Sequence, residues 1–113
     1  MENSDDSFVS VIIPLYNGDA FIGQTLQSVL NQTYQNLEIL VVDDGSRDRA
    51  PEIVQQFAQK DPRIRLLQQA NAGVAAARNR GIQEAQGEFI APIDADDLWQ
   101  PDTLTKLITQ FQQ

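Results

Sequence analysis

Short runs of contiguous apolar residues alternate along the chain with longer stretches that are apolar on one face only. Residues 8–14 (FVSVIIP), 37–42 (LEILVV), 64–67 and 88–93 are of the first kind. Runs this short and this rich in β-branched residues predict strands buried on both faces. Between them, Ile22, Leu26, Val29 and Leu30 recur at the spacing of one helix face. Ile53, Val54 and Phe57 repeat that spacing behind Pro51, and proline suits a first helical turn. Residues 74–85 are rich in alanine, which favours helix. Residues 101–111 open on Pro101 and carry Leu104, Leu107, Ile108 and Phe111 on one face. The order β-α-β-α-β-α-β-α predicts an α/β fold, an open and mainly parallel sheet of about four strands with helices on both faces. Right-handed crossovers limit its topology to a few choices.

The chain has 113 residues, of which 42% are hydrophobic. That length predicts one domain, over residues 8–113, behind a polar and acidic N-terminal tail at 1–7. Cysteine and histidine are both absent. Disulfides, thiolate chemistry, zinc fingers and imidazole bases are thereby excluded. A metal here must sit among oxygen ligands, which favours magnesium, manganese or calcium. The net charge of −8 is opposite to a nucleic-acid footprint. No apolar run approaches the roughly 18 residues needed to span a membrane, and the first residues are unlike a signal peptide. A cytoplasmic location is the default expectation.

Open parallel sheets bind ligands beyond the carboxyl ends of their strands. The segments there are Pro14-Leu15-Tyr16-Asn17-Gly18, Asp43-Asp44-Gly45-Ser46, Asn71-Ala72-Gly73 and Asp94-Ala95-Asp96-Asp97. Asp43, Asp44, Asp94, Asp96 and Asp97, five of the 16 acidic residues, thus fall on one edge. Like charges placed together there repel, and a divalent cation is the natural compensation. Such a cation would also let a diphosphate approach. Asp94 and Asp96 lie two apart, and residues two apart that come off a strand into a loop can project the same way. Each piece also has a plain reading. Asp44-Gly45-Ser46 suits a turn and a helix cap. Asp96 and Asp97 suit the positive end of the last helix. Asn17 could cap the first helix, Tyr16 could be a core aromatic, and Arg78 could be a solvated helix residue. The convergence of all these segments on one edge favours a site.

Four blocks in this order resemble family 2 glycosyltransferases with the A-type glycosyltransferase fold, the Rossmann-like nucleotide-diphospho-sugar transferase type. They run from Val9 to Asn17, from Glu38 to Ser46, from Asn71 through Ala77-Arg78-Asn79-Arg80-Gly81, and from Gly87 to Asp97. The resemblance covers almost the whole chain and implies its nucleotide-sugar-binding half. It implies that Pro14 and Tyr16 flank the nucleobase, typically uracil, with the Tyr16 ring stacking on it. Asn17 belongs to the same nucleotide-binding segment. Asp44 would accept from the base's imide N–H, and Asp43 would order the loop. Arg78 would lie near the donor, Asp94 would hold ribose or the metal's surroundings, and Asp96 would ligate Mn2+ or Mg2+, with Asp94 and Asp97 as further candidates. The implied reaction is transfer of a sugar from a nucleoside diphosphate sugar, UDP-linked by preference, to an acceptor hydroxyl, with inversion. The acceptor could be a polysaccharide, a lipid or a protein glycan.

Inversion needs a carboxylate base on the acceptor side, well beyond the metal motif. Only Asp102 follows Asp97, and its place at a helix start is better explained by the helix dipole. The base is therefore expected beyond Gln113, in a longer protein whose membrane association stays open. An exposed face where that remainder would pack, able to drive self-association, is expected here. Pro92 stands two residues before Asp94, so the fourth strand should end or bulge there. Three other readings compete. A receiver-type signalling domain would want an acidic pair after the first strand. A nucleotidyltransferase would want a basic glycine-rich loop there, and an inactive nucleotide-binding fragment would lack the base.

Overall fold

The computed structural model describes residues 7–111. Of the tail expected at 1–7, only Ser7 is among them. The elements are β1 (Val9–Leu15), α1 (Ile22–Leu30), β2 (Leu37–Asp43), α2 (Ala50–Lys60), β3 (Ile64–Gln68), α3 (Val74–Glu84), β4 (Phe89–Pro92) and α4 (Thr103–Phe111). The four strands form one sheet in the order β3-β2-β1-β4, all pairs parallel. The pattern of apolar runs places each element, with boundaries shifted by a residue or two. Pro51 sits in the first turn of α2, where its missing N–H costs nothing.

The sheet order explains the layers. The first two connections step outward from β1 to β3, whereas the third returns across the sheet to β4. With the hand of the crossover kept, reversing the direction places the connecting helix on the opposite face. Accordingly Val9, Val11, Ile13 and Leu15 share one core with Ile22, Leu26, Val29, Val54, Leu104 and Ile108 from α1, α2 and α4. Ile12 and Val42 instead meet α3 at Gly81, where an added methyl group would come within 2.5 Å of Ile12 Cγ2. The absent side chain lets α3 lie close to the sheet.

The expectation that all strands are buried on both faces holds for β1 and β2, every residue of which is buried. It fails for β3 and β4, in each of which one residue is buried and the others are half-buried or exposed. Both are edge strands, so each lacks a neighbour on one side. β4 ends at Pro92, as expected. Ile93 N–H then donates to Ile12 C=O at 3.0 Å, towards β1. Successive amides point to opposite sides, so the donor missing at Pro92 falls on the open edge and no ladder bond is lost.

Candidate functional site

The loops after β1, β2 and β3 are stitched together at the carboxyl edge of the sheet. Asn17 leaves β1 in a left-handed conformation, φ 54°. Its N–H donates to Ser46 Oγ at 2.8 Å, and its Oδ1 accepts from Arg47 N–H at 2.7 Å. It is a tie between loops rather than a cap, since α1 begins later at Ile22. Asp43 Oδ1 accepts from Ser46 N–H at 3.1 Å and closes the turn after β2. Gly45 takes φ 80° in that turn, where a side chain would be strained and would press on the Asn71 backbone.

Asp44 is buried at the centre of this edge. Its Oδ1 accepts from Gln69 Nε2 at 2.9 Å and from Ala72 N–H at 2.8 Å. Its Oδ2 accepts from Gly73 N–H at 2.9 Å and from Asn71 Nδ2 at 3.3 Å. The Gln69 bond, with those from Ala72 and Gly73 and against the opposing effect of burial, holds the carboxyl below its ordinary range. A carboxylate offers about four lone-pair directions, so this one is saturated from within the chain.

The like charges on the edge are therefore relieved in two ways. Asp43 and Asp44 are absorbed by amide donors. Asp94, Asp96 and Asp97 stay exposed at the end of β4. The five carboxylates share an edge but do not gather into one cluster, and among the described residues no three acidic groups converge as a preformed metal cage. Asp94 and Asp96 do not continue the strand. Asp97 N–H donates to Asp94 C=O at 3.0 Å, closing a turn, so the period-two projection expected for them does not apply. Arg78, half-exposed on α3, brings its guanidinium to 3.9 Å from Asp94 Oδ1. That contact joins the α3 side of the site to the acidic turn. Asp102, just before α4, pairs with Lys106 Nζ at 3.2 Å on the surface.

Between these parts lies a shallow cleft lined by Pro14, Leu15, Tyr16, Asp44, Val74 and Ala77. Tyr16 and Val74 are 51% and 56% exposed, so an aromatic ring and an aliphatic side chain stand uncovered on its rim. Tyr16 is thus not a core aromatic. An apolar slot of this kind suits a flat, partly polar ring. Gln69, Val74 and the polar residues Thr25, Ser28 and Gln32 do not stand out as site residues in the sequence. A signal for the last three is nevertheless there: spacings of three and four set them on one face, beside the apolar stripe of the first helix.

The family model described as Glycosyl transferase family 2 matches residues 10–113. Glycosyltransferase GlyG of Streptococcus pneumoniae is 42% identical over 106 residues, which is 93% of this chain and 35% of GlyG. Among solved structures, mannosyltransferase PcManGT from Pyrobaculum calidifontis, in complex with GDP-Man and Mn2+, superposes with a TM-score of 0.87 at 33% identity over 93% of this chain and 32% of that one. TarS 1-349 of S. aureus, in complex with UDP-GlcNAc, gives 0.86 at 31% identity over 92% and 31%. The chain thus spans about a third of the length of each of these proteins.

Proposed function

Because the chain belongs to glycosyl transferase family 2, we propose that it is the donor-binding part of a glycosyltransferase that takes a UDP-linked sugar with the help of Mg2+ or Mn2+. The observation that carries this reading is the slot between Tyr16 and Val74, set beside the exposed turn of Asp94, Asp96 and Asp97. The slot takes the nucleobase, with Pro14 beneath it and the Tyr16 ring against its face. Asp44 is next to the slot but saturated, so its bond to the base's imide N–H forms by exchange with the side-chain amide of Gln69 or Asn71. Asn17 and Asp43 hold the loops that shape the slot. Arg78 lies where it can meet phosphate while neutralising Asp94.

Exposed carboxylates fit a hard cation that takes one or two protein ligands and completes its shell with water and substrate phosphate, as Mg2+ and Mn2+ do. Asp96, with Asp94 or Asp97, is the proposed ligand set, and the lack of a three-carboxylate cage among the described residues agrees with a metal that is shared with the diphosphate. The metal when bound supplies Lewis-acid stabilisation of the leaving diphosphate. The catalytic base and the acceptor site are assigned to a further part of a longer protein, in keeping with the surface pairing of Asp102. The apolar groove along β4 and α4 is assigned to packing, against that part or a second copy.

Calorimetric titration with UDP, with and without Mn2+, tests the reading. UDP should bind, and more tightly with Mn2+. Tyr16→Ala should weaken UDP about threefold to tenfold in either condition, the range expected for one aromatic contact. Asp96→Asn should remove only the Mn2+-dependent gain. A folded sample that binds no UDP sinks the reading, and a clear preference for GDP would overturn the uridine assignment.

A further inference from the structure

The acidic turn is held from below by α1. Thr25 is fully buried, and its Oγ lies 2.6 Å from Ala95 C=O, 2.8 Å from Asp97 C=O and 3.3 Å from Phe21 C=O, so one hydroxyl proton serves three acceptors of which the two nearest belong to the turn. One turn on, Ser28 Oγ accepts from Trp99 N–H at 3.2 Å while donating to Thr25 C=O at 2.8 Å. Just past the helix end, buried Gln32 donates through Nε2 to Gln100 C=O at 2.6 Å and accepts at Oε1 from Leu104 N–H at 3.0 Å. Thr33 N–H donates to Pro101 C=O at 2.8 Å. Residues 25, 28 and 32 form a polar seam beside the apolar stripe of Ile22, Leu26 and Val29. The seam follows the irregular segment from Ala95 to Asp102 and reaches the first turn of α4 at Leu104.

Burying such groups costs desolvation, and an isosteric apolar residue would pack as well. The return is that the backbone carbonyls and amides of an irregular segment, which has no helix or strand to satisfy them, find partners. The partnered carbonyls at Ala95 and Asp97 flank Asp96. We propose that Thr25, supported by Ser28 and Gln32, is a positioning residue that sets the Asp94–Asp97 turn in the geometry required by the metal-bound diphosphate. This rests on the donor-binding reading above. The seam acts on the metal-dependent part of binding and leaves the base slot, built from β1, β2 and α3, untouched.

The test is Thr25→Val in the whole chain, with Thr25→Ser as the conservative partner and Ser28→Ala as a milder second variant. Two quantities are read: the ratio of UDP affinities with and without Mn2+, and amide hydrogen exchange at residues 94–98. In Thr25→Val the Mn2+-dependent gain should fall at least fivefold, metal-free UDP affinity should change less than twofold, and exchange at 94–98 should quicken. Thr25→Ser should restore all three towards the original. Ser28→Ala, which removes the bond to Trp99 and the one to Thr25 C=O but leaves the Thr25 hydroxyl on the turn, should give a smaller loss of the same kind and carries the test if Thr25→Val does not fold. Faster exchange with an undiminished Mn2+ gain would overturn the positioning role while leaving the donor-binding reading intact. Equal losses of affinity with and without metal would reduce Thr25 to a structural residue. No UDP binding by the unaltered chain would overturn both.

Discussion

Asp44 shows how one acidic residue at a strand end can be structural and functional together. Its four acceptor directions are filled from Gln69, Asn71, Ala72 and Gly73. Asp44→Asn would set an amide N–H2 against some of these donors and should cost about 1–3 kcal/mol, the penalty for leaving buried donors unmet. Urea denaturation near neutral pH measures it, and an unchanged midpoint would argue against the hub. The pH dependence has a definite sign. The folded-state value lies below the ordinary 3.8, so the charged carboxylate is favoured by folding. Its contribution is complete above 3.8 and disappears as pH falls through the lower folded value. Urea midpoints taken from about pH 6 to about pH 2 should fall more steeply in the original chain than in Asp44→Asn; parallel curves would refute the assignment. Asp61, held down chiefly by its bond to Arg63, contributes the same sign in both proteins. The position of Asp44 at a strand end was legible in the sequence. Its saturation was not, because the donors lie 25 to 29 residues further on and arrive through the fold.

At the scale of elements, periodicity carried most of the information. Each predicted helix and strand is present, because apolar spacing follows directly from which face meets the core. Burial of the strands was less legible. The apolar runs at β3 and β4 resemble those of β1 and β2, yet the former sit at the sheet's edges. The close approach of α3 was also hidden, since Gly81 lies in an ordinary alanine-rich stretch. Gly81→Ala places a methyl group 2.5 Å from Ile12 Cγ2 and 3.3 Å from Val42 Cγ2. Overpacking of this kind should cost about 1–3 kcal/mol, read as a lower urea midpoint. Since α3 carries Arg78 and the Val74 rim, the same variant should also weaken UDP. A variant as stable as the original would show that α3 can retreat from the sheet without cost.

At the scale of the whole molecule, β4 leaves an open sheet edge next to an apolar groove lined by Phe89, Ala91, Trp99, Leu107 and Phe111 among others. Phe111 is exposed, with its ring stacked on Phe89 at 5.4 Å between centroids. Such a surface should associate in solution. Sedimentation velocity should therefore show mass rising with concentration, and Phe111→Glu or Leu107→Glu should suppress the rise; a monomer at all concentrations would refute it. No helix among the described residues is long and apolar enough to cross a membrane. By itself the sequence determined the alternation of elements, the parallel class of the sheet and the set of segments at its carboxyl edge. These follow from hydrophobic spacing and from a strand direction that the connections impose. It also carried the resemblance that the family match bears out. Only the tertiary structure decided how the acidic edge divides, with Asp43 and Asp44 absorbed by amide donors and Asp94, Asp96 and Asp97 exposed, Asp94 beside Arg78 and Asp97 accepting from Leu98 N–H. It alone revealed the seam from Thr25 to Gln32 beneath that turn. Both depend on contacts between residues far apart in the chain, and a local pattern records which residues face the core but not which polar groups meet there.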